Sequence, residues 1–204
     1  ISIYLISNSS LNNLSFSYYR NFERNEILKN ISFEVLGNSI VGIAGRSGCG
    51  KTTLGKVISN YFINSNLFNY DLNGEVSFEG INILSKNYLY SNRIPPIQMI
   101  FQDPKKSLNM HVSLRSQLTA TLKLGNPTIS KNSIEIQIQN YANELYFSDL
   151  LDKTPEDISG GQRRRFGIAR ILSLNPKLVI ADEPVASLDA SIKNEILNHL
   201  FKLV

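Results

Sequence analysis

The stretch GIAGRSGCGKTTLGKVI, residues 42–58, decides how this chain folds. A short, β-branched apolar run (SIVGIAG, 39–45) leads into it, and a helix is expected to open at Lys51. The spacing matches G-x-x-x-x-G-K-[ST] between a strand and a helix, which predicts a loop whose backbone amides wrap around a phosphate group. Glycine is needed there because a Cβ would obstruct the phosphate, and the helix N-terminus adds partial positive charge. The glycines of this phosphate loop are Gly45, Gly48 and Gly50.

The side chains of the loop predict a nucleotide rather than a bare phosphate. Lys51 is expected to reach the β- and γ-phosphates, and the Thr52 hydroxyl to ligate Mg²⁺. A glycine-rich turn that binds nothing is the alternative, and it leaves the Lys-Thr pair without a role. Cys49 occupies a variable position of the motif, so we expect no catalytic thiol there. The residues predicted to surround the nucleotide are Gly45, Arg46, Ser47, Gly48, Cys49, Gly50, Lys51, Thr52 and Thr53.

Length and composition narrow the class of protein to which this chain can belong. A chain of 204 residues suits one domain with a sizeable core, and 42% hydrophobic with 19% charged residues is typical of a globular protein. The formal net charge is +4, but the only basic run is 163–165, so charge alone predicts neither a nucleic-acid nor a membrane partner. A single cysteine excludes an internal disulfide and a multi-cysteine metal site.

A second acidic element follows the apolar run KLVIAD (177–182). Asp182 and Glu183 stand at the C-terminal end of a predicted buried strand, where open α/β sheets place their ligands. Asp182 is expected to hold the Mg²⁺ shell, and Glu183 to orient or deprotonate a water that attacks the γ-phosphate. Gln102, at the end of IQMIFQ (97–102), is the candidate for sensing Mg²⁺ and that water. Without the upstream loop, an Asp-Glu-Pro sequence would be an ordinary solvated turn.

Hydrophobic patterning predicts an α/β fold with a parallel sheet in its core and an antiparallel β portion. Near-continuous apolar runs are typical of strands buried on both faces of a parallel sheet, whereas alternation is typical of antiparallel strands with one wetter face. The continuous runs are SIVGIAG, IQMIFQ and KLVIAD. The alternating runs are NLSFSYY (13–19), ISFEV (31–35) and GEVSFEG (74–80).

A helical insertion is expected over 112–157. The stretch LRSQLTATLKL (114–124) repeats leucine at helical spacing, and a second such repeat follows from residue 134, although IEIQIQ (134–139) alone fits a strand equally well. We therefore expect one domain, with a nucleotide-binding core in 1–111, a helical subdomain in 112–157, and a return to the core in 158–204. The apolar positions of the two repeats are Leu114, Leu118, Leu122, Ile134, Ile138, Tyr141 and Leu145.

The stretch DISGGQRRRFGIAR (157–170) raises a separate question, because the chain already has one glycine-rich loop. Ser159 followed by Gln162 predicts a capping box, which would start a helix. That local explanation leaves Gly160 and Gly161 without a reason. The apolar face of the helix would consist of Phe166, Ala169 and Leu172.

The phosphate loop, ISGGQRRR (158–165) and LVIADEP (178–184) together resemble the signature of the ATP-binding cassette ATPases. The resemblance covers nearly the whole chain and implies a P-loop NTPase (RecA-like) core. It also implies that Ser159, Gly160, Gly161 and Gln162 contact the γ-phosphate of ATP held by an opposing subunit. Two subunits would then sandwich two nucleotides head to tail, so an isolated chain is expected to hydrolyse ATP poorly.

Two further segments resemble parts of this family. SLDAS (187–191) resembles the loop where Asp189 helps to join the two halves of the dimer. LSFSYYR (14–20) resembles the loop whose aromatic residue stacks on adenine, with Tyr18 the best match and Tyr19 the alternative. Both tyrosines fit equally well as ordinary strand aromatics.

Within the family, IQMIFQDPKKSLN (97–109) and the motifs above look most like the ATPase subunits of importers for oligopeptides, dipeptides or nickel. The resemblance implies a homo- or heterodimer that uses ATP and Mg²⁺ at the cytoplasmic face of the membrane. Its partners would be integral membrane permease subunits and, indirectly, a solute-binding protein, with no nucleic acid expected. The permease is expected to contact Gln102 and residues 103–118. The transported solute is not identified, because such ATPases do not touch it.

The chain departs from the family pattern at several positions. The family carries a switch histidine on a strand downstream of the helix that follows the Asp189 loop, and neither histidine of this chain, His111 or His199, matches it. We therefore expect the sequence to be part of a longer product and to turn over slowly on its own. The substitutions in the motifs are Ile158 for a usual Leu, Arg164 for a usual second Gln, and Val185 for a common Thr.

Two other functions stay open. One is a non-transport ATPase of the same superfamily that acts on nucleic acid or ribosomes. Such proteins usually carry paired cassettes or long coiled-coil insertions, and neither is visible here. The other is a regulatory binder in which ATP only clamps the dimer, against which Lys51, Asp182 and Glu183 argue.

Overall fold

The computed structural model describes residues 2–5, 8–37, 39–62, 69–85, 88, 96–101, 103–183 and 193–194. The described residues belong to two compact units. Of these residues, the first unit holds those up to Met99 together with Lys177–Asp182, and the second holds those within Ile100–Pro176 and Glu183–Lys202.

The elements follow one another in a mixed order of strands and helices. They are β1 (Ser2–Leu5), β2 (Ser9–Arg20), β3 (Glu23–Val35), β4 (Ser39–Gly42), α1 (Lys51–Ile58), β5 (Tyr70–Phe78), β6 (Ile81–Asn82), β7 (Ile97–Ile100), α2 (Leu114–Gly125), α3 (Lys131–Glu144), α4 (Gly160–Leu172) and β8 (Leu178–Ala181). Short 3₁₀ turns occupy Pro104–Lys106, Ser148–Leu150 and Pro155–Asp157.

One sheet carries the three apolar runs of the sequence, in the order β4-β1-β8-β7. Strand β1 is antiparallel to both β4 and β8, so β4 and β8 point in the same direction. Their carboxyl ends, which precede the phosphate loop and the Asp-Glu pair, therefore meet the same edge of the sheet. The α/β fold is confirmed and all three runs form strands, but the sheet is mixed rather than parallel, because β1, an unpredicted strand, runs antiparallel between β4 and β8.

Burial along this sheet is uneven. Every residue of β8 is buried, in agreement with its continuous apolar pattern. Strand β4 instead alternates half-buried and exposed residues, and Ile40 is 43% exposed. The expectation that this run is buried on both faces is wrong for β4, which among the described strands pairs only with β1 and so lies at the edge of the described sheet.

The second sheet is antiparallel, in the order β3-β2-β5-β6, and confirms the predicted antiparallel portion. Its central strand β2 buries Phe16 completely, and that ring stacks on Tyr70 with centroids 5.7 Å apart. Gly74 has φ +97°, and a Cβ there would lie 2.5 Å from the Asn13 carbonyl oxygen, so only glycine fits. This glycine faces the register shift of β2 between Asn12 and Ser15.

The second unit packs three helices around one apolar core. Ser113 and Ser130 cap α2 and α3 by accepting hydrogen bonds from backbone amides in the first turn. In α3, Ile134 and Ile138 are buried while Ile136 is 53% exposed, which is a helical period rather than a strand period. The other fully buried side chains of this core include Leu114, Leu118, Leu145, Phe147 and Phe166.

The two isoleucines of α3 provide a matched test of this packing. Ile138→Ala is expected to lower the free energy of unfolding by about 2–5 kcal/mol, because it leaves a cavity at a position with no solvent exposure. Ile136→Ala, on the exposed face of the same helix, is expected to change it by less than about 0.5 kcal/mol. Urea denaturation followed by circular dichroism measures both values. Equal losses would contradict the assignment of the buried face.

Candidate functional site

The phosphate loop folds around the ammonium group of Lys51. Its Nζ donates hydrogen bonds to the carbonyl oxygens of Gly45, at 2.7 Å, and Arg46, at 2.8 Å, and lies 3.7 Å from Cys49 Sγ. The Cys49 amide closes a turn onto the Arg46 carbonyl. Residues 45–49 are exposed to solvent. The loop is thus ordered by its own lysine and stays accessible.

Helix α1 begins without a capping side chain. Its N-cap is Gly50, no side chain caps the helix, and the first turn holds no acidic residue. Gly50 has φ +98°, and a Cβ there would lie 3.1 Å from Ile27 Cγ2 and 3.3 Å from the Ile27 carbonyl oxygen. The first-turn amides of a helix lack intrahelical partners and carry partial positive charge. Together with the Lys51 ammonium group, they form a place where an anion is stabilised.

The structure brings together the two predicted Mg²⁺ ligands that it describes. Thr52 Oγ1 donates a hydrogen bond to Asp182 Oδ2 at 2.8 Å, and Asp182 is only 5% exposed. Hydroxyl and carboxylate oxygens are the ligand type that Mg²⁺ prefers. Within the described ranges no cluster of three His, Cys, Asp or Glu side chains could hold a metal ion. A hydroxyl and a carboxylate are two ligands, and an ion held by them would take its others from phosphate and water, as Mg²⁺ commonly does.

Glu183, the predicted water-orienting residue, begins the C-terminal segment of the second unit and is exposed. Its backbone has φ +49°, and its carbonyl oxygen accepts a hydrogen bond from Arg164 Nη2. Several other predicted positions lie outside the described residues, namely Gln102, Asp189, Val185 and His199.

The start of α4 confirms the predicted capping box. Ser159 Oγ accepts a hydrogen bond from the Gln162 amide at 3.3 Å, and Gln162 Oε1 accepts one from the Ser159 amide at 2.8 Å. Gly160 is exposed, and a Cβ there would meet nothing within 4 Å. Packing within the described structure therefore gives no reason for glycine at this position.

The three consecutive arginines of α4 bind backbone carbonyl oxygens. Arg163 Nη1 donates to Pro155 at 2.8 Å and to Ile158 at 2.7 Å. Arg164 donates to Glu183, as described above, and Arg165 Nη2 donates to the Tyr146 carbonyl at 3.1 Å. The basic run thus ties α4 to the segments around it. Sequence reasoning missed this role, because the acceptors are main-chain atoms without a residue-type signal.

Of the two candidate adenine-stacking residues, Tyr19 is the more constrained. Its hydroxyl donates to Asp71 Oδ2 at 2.8 Å, and Arg24 pairs with the same oxygen at 3.4 Å. The hydrogen bond to the Asp71 carboxylate raises the pKa of Tyr19. Tyr18 is half-buried on β2, opposite Tyr70 of β5. Tyr18 thus remains the better candidate.

The segment predicted to meet a permease is held by two side chains that the sequence did not single out. Gln117, 8% exposed, donates hydrogen bonds to the Asn109 and Val112 carbonyls, both at 2.8 Å, and accepts one from the Asn109 amide.

The second side chain is Arg170, which donates a hydrogen bond to the Ser107 carbonyl. Burial lowers the pKa of this guanidinium. The backbone of 107–112 is therefore fixed on α2 and α4. None of the described helices is long and apolar enough to cross a membrane.

Comparison with known proteins identifies a family and several relatives of this chain. A family model described as ABC transporter covers residues 28–186. The oligopeptide transport ATP-binding protein OppF of Streptococcus mutans is 37% identical over 179 residues, which are 86% of this chain and 56% of that protein. AppF of Bacillus subtilis, also named an oligopeptide transport ATP-binding protein, is 36% identical over 85% of this chain and 51% of its own length. The dipeptide transport ATP-binding protein DppF of Lactococcus lactis is 34% identical over 85% of this chain and 55% of its length.

The chain thus spans about half the length of the curated relatives it matches. A solved structure described as the dimeric post-hydrolysis state of an ATP-binding cassette bound to ADP and Pi is similar in fold. Its TM-score is 0.79 at 24% identity, and the match covers 95% of this chain and 81% of that one.

The glycine at the start of α1 can be tested against a second glycine of the same segment. Gly50→Ala is expected to lower the free energy of unfolding by about 1–2 kcal/mol, since a side chain disfavours the left-handed conformation and would crowd Ile27. Gly42→Ala has open space and no positive φ, so its stability should equal or exceed that of the wild type. Equilibrium unfolding in urea gives both values. An unaffected Gly50→Ala protein would refute the loop geometry.

Proposed function

The chain belongs to the ABC transporter family, and on that premise we propose that it is the ATP-binding and ATP-hydrolysing subunit of a peptide importer. The observation that carries the proposal is the hydrogen bond between Thr52 and Asp182. It joins the end of the phosphate loop to the acidic end of β8 within one unit, beside an uncapped helix N-terminus. Such an arrangement suits a nucleotide triphosphate with a divalent cation.

In this proposal the phosphate loop binds ATP through its backbone amides, and Lys51 turns from the loop carbonyls to the β- and γ-phosphates. Thr52 and Asp182, with Gln102, would hold Mg²⁺, which when bound offsets the charge of the phosphate oxygens. Glu183 orients or deprotonates a water. The water oxygen bonds to the γ-phosphorus while the bond to the β–γ bridging oxygen breaks, giving ADP and phosphate. Tyr18 would stack on adenine.

A complete site would need a second ATP-binding subunit. Ser159, Gly160, Gly161 and Gln162 would contact the γ-phosphate bound to that partner, and Asp189 would help to join the two. The exposed start of α4 supports this, because it leaves room for a ligand at Gly160. The structural relative described as a dimer has the same fold.

The other partners follow from the family and its relatives. The names of the three relatives concern oligopeptide or dipeptide transport, which supports peptides over nickel as the cargo. Integral membrane permease subunits would bind 103–118 at the cytoplasmic face of the membrane, and a solute-binding protein would act indirectly. We propose one domain, with the core in 1–111, the helical subdomain in 112–157 and the return to the core in 158–204. No nucleic-acid partner is proposed.

Replacement of Glu183 should separate nucleotide binding from hydrolysis. Glu183→Gln is expected to bind Mg-ATP, to hydrolyse it at least about 100-fold more slowly than the wild type, and to accumulate as an ATP-dependent dimer in sedimentation. Lys51→Ala, as the matched control, should lose ATP binding and remain monomeric. Wild-type and Glu183→Gln proteins that both bind ATP and show the same negligible turnover would favour a non-hydrolytic clamp. A wild-type chain that does not bind ATP would refute the proposal.

The permease contact can be tested from Ser107. A photo-activatable residue at position 107, in a chain co-expressed with its permease subunits, is expected to form a cross-link to them. The same residue at Asn132, an exposed position of α3, should form none. Consistent absence of cross-links at 107, with an intact transporter complex in the membrane fraction, would place the permease on another surface.

A further inference from the structure

The backbone of Glu183 adopts a conformation that this residue does not favour. Its φ of +49° lies in the left-handed region, where a Cβ clashes with the backbone. Pro184 follows in the sequence, and a residue before proline is pushed towards extended conformations. Such strain persists where neighbouring groups hold the backbone, and it concentrates at functional sites.

Arg164 is a group that holds this backbone. Its Nη2 donates a hydrogen bond to the Glu183 carbonyl oxygen, and both residues belong to the same unit. Only 7% of Arg164 is exposed. A buried guanidinium needs acceptors to offset its lost hydration, and a charged donor makes a stronger hydrogen bond than a neutral one. The interaction is therefore well placed to stabilise the strained conformation.

We propose that Arg164 is a positioning residue that sets the direction of the Glu183 carboxylate. The inference rests on the proposed function, in which that carboxylate acts on the attacking water. The backbone dihedral angles of a residue determine where its Cα–Cβ bond points. By fixing the carbonyl group of Glu183, Arg164 fixes the origin of the side chain that must meet the water.

This role depends on a side chain that is long enough to bring a hydrogen-bond donor to the Glu183 carbonyl oxygen. The resembled family usually carries glutamine at this position, and the glutamine amide ends two bonds short of the guanidinium Nη atoms. Glutamine therefore does not reach the Glu183 carbonyl from the same backbone position unless the helix or the loop moves. The arginine couples α4, which Ser159 caps, to the backbone of Glu183.

The test compares three substitutions at Arg164. Arg164→Met, which keeps an unbranched apolar stem but removes the donor, should lower kcat about tenfold or more, since small misplacements of a reacting group have large effects. Arg164→Gln should lower kcat to a similar extent. Arg164→Lys, which retains a cationic donor, should keep most of the wild-type kcat. The KM for ATP and the fraction of chains in the ATP-dependent dimer should each change less than about twofold, because Arg164 is not among the residues assigned to ATP binding. Unchanged kcat in both the Met and Gln variants would overturn the inference.

A control in the same helix separates this role from general stability. Arg165→Met removes a comparable hydrogen bond, to the Tyr146 carbonyl, and should leave kcat within about twofold of the wild type. Melting temperatures show whether each variant is folded. If Arg164→Met melts early, Arg164→Gln carries the test with a polar side chain in the same place. Equal losses of kcat at 164 and 165 would assign the effect to packing of α4 and overturn the inference.

A double-mutant comparison shows whether Arg164 acts through Glu183. In the Glu183→Gln background, Arg164→Met should lower the residual turnover less than twofold, since the carboxylate to be positioned is gone. A further tenfold loss would mean that Arg164 acts elsewhere. If Glu183→Gln alone turns over like the wild type, the proposed function fails. If it is inactive while Arg164→Met is fully active, only the positioning role fails.

Discussion

The hydrogen bonds from the Lys51 ammonium group to the loop carbonyls are the interaction on which the candidate site depends. They give the carbonyl oxygens of Gly45 and Arg46 a hydrogen-bond donor from the same segment. They therefore order the loop before α1, a helix that has no side-chain cap. The same lysine places a positive charge beside the uncapped first turn of α1. A loop ordered in this way has its conformation before any ligand arrives, which reduces the entropy lost on binding.

The two glycine-rich helix starts of the chain differ in how their first turns are capped. Helix α1 has no capping side chain, whereas α4 is closed by the reciprocal bonds of Ser159 and Gln162. The capping box leaves Ser159 able to donate a hydrogen bond to a phosphate. Its oxygen accepts a hydrogen bond from the Gln162 amide through a lone pair, and its O–H remains a separate donor. The capping box and a contact to the partner's nucleotide are therefore compatible roles of one side chain.

The features that the sequence predicted are those set by residues close together in the chain. The phosphate loop, the helical face of Ile134 and Ile138, and the Ser159 capping box each follow from spacings of a few residues. The missed features join distant residues, as when Arg170 reaches the Ser107 carbonyl, or involve main-chain acceptors, as with Gln117. The exposure of β4 was missed for a related reason, because an edge position depends on which strands pair rather than on the strand itself.

Asp182 and Glu183 are adjacent in the chain, yet their surroundings differ sharply. Asp182 is buried and bound to Thr52 of α1, while Glu183 is exposed and held through its carbonyl by Arg164 of α4. The division between the two units falls between them. Under the proposed function, nucleotide entry would exchange the Thr52–Asp182 hydrogen bond for contacts to the cation and phosphates. Glu183, the residue proposed to orient the water, follows Asp182 directly in the chain.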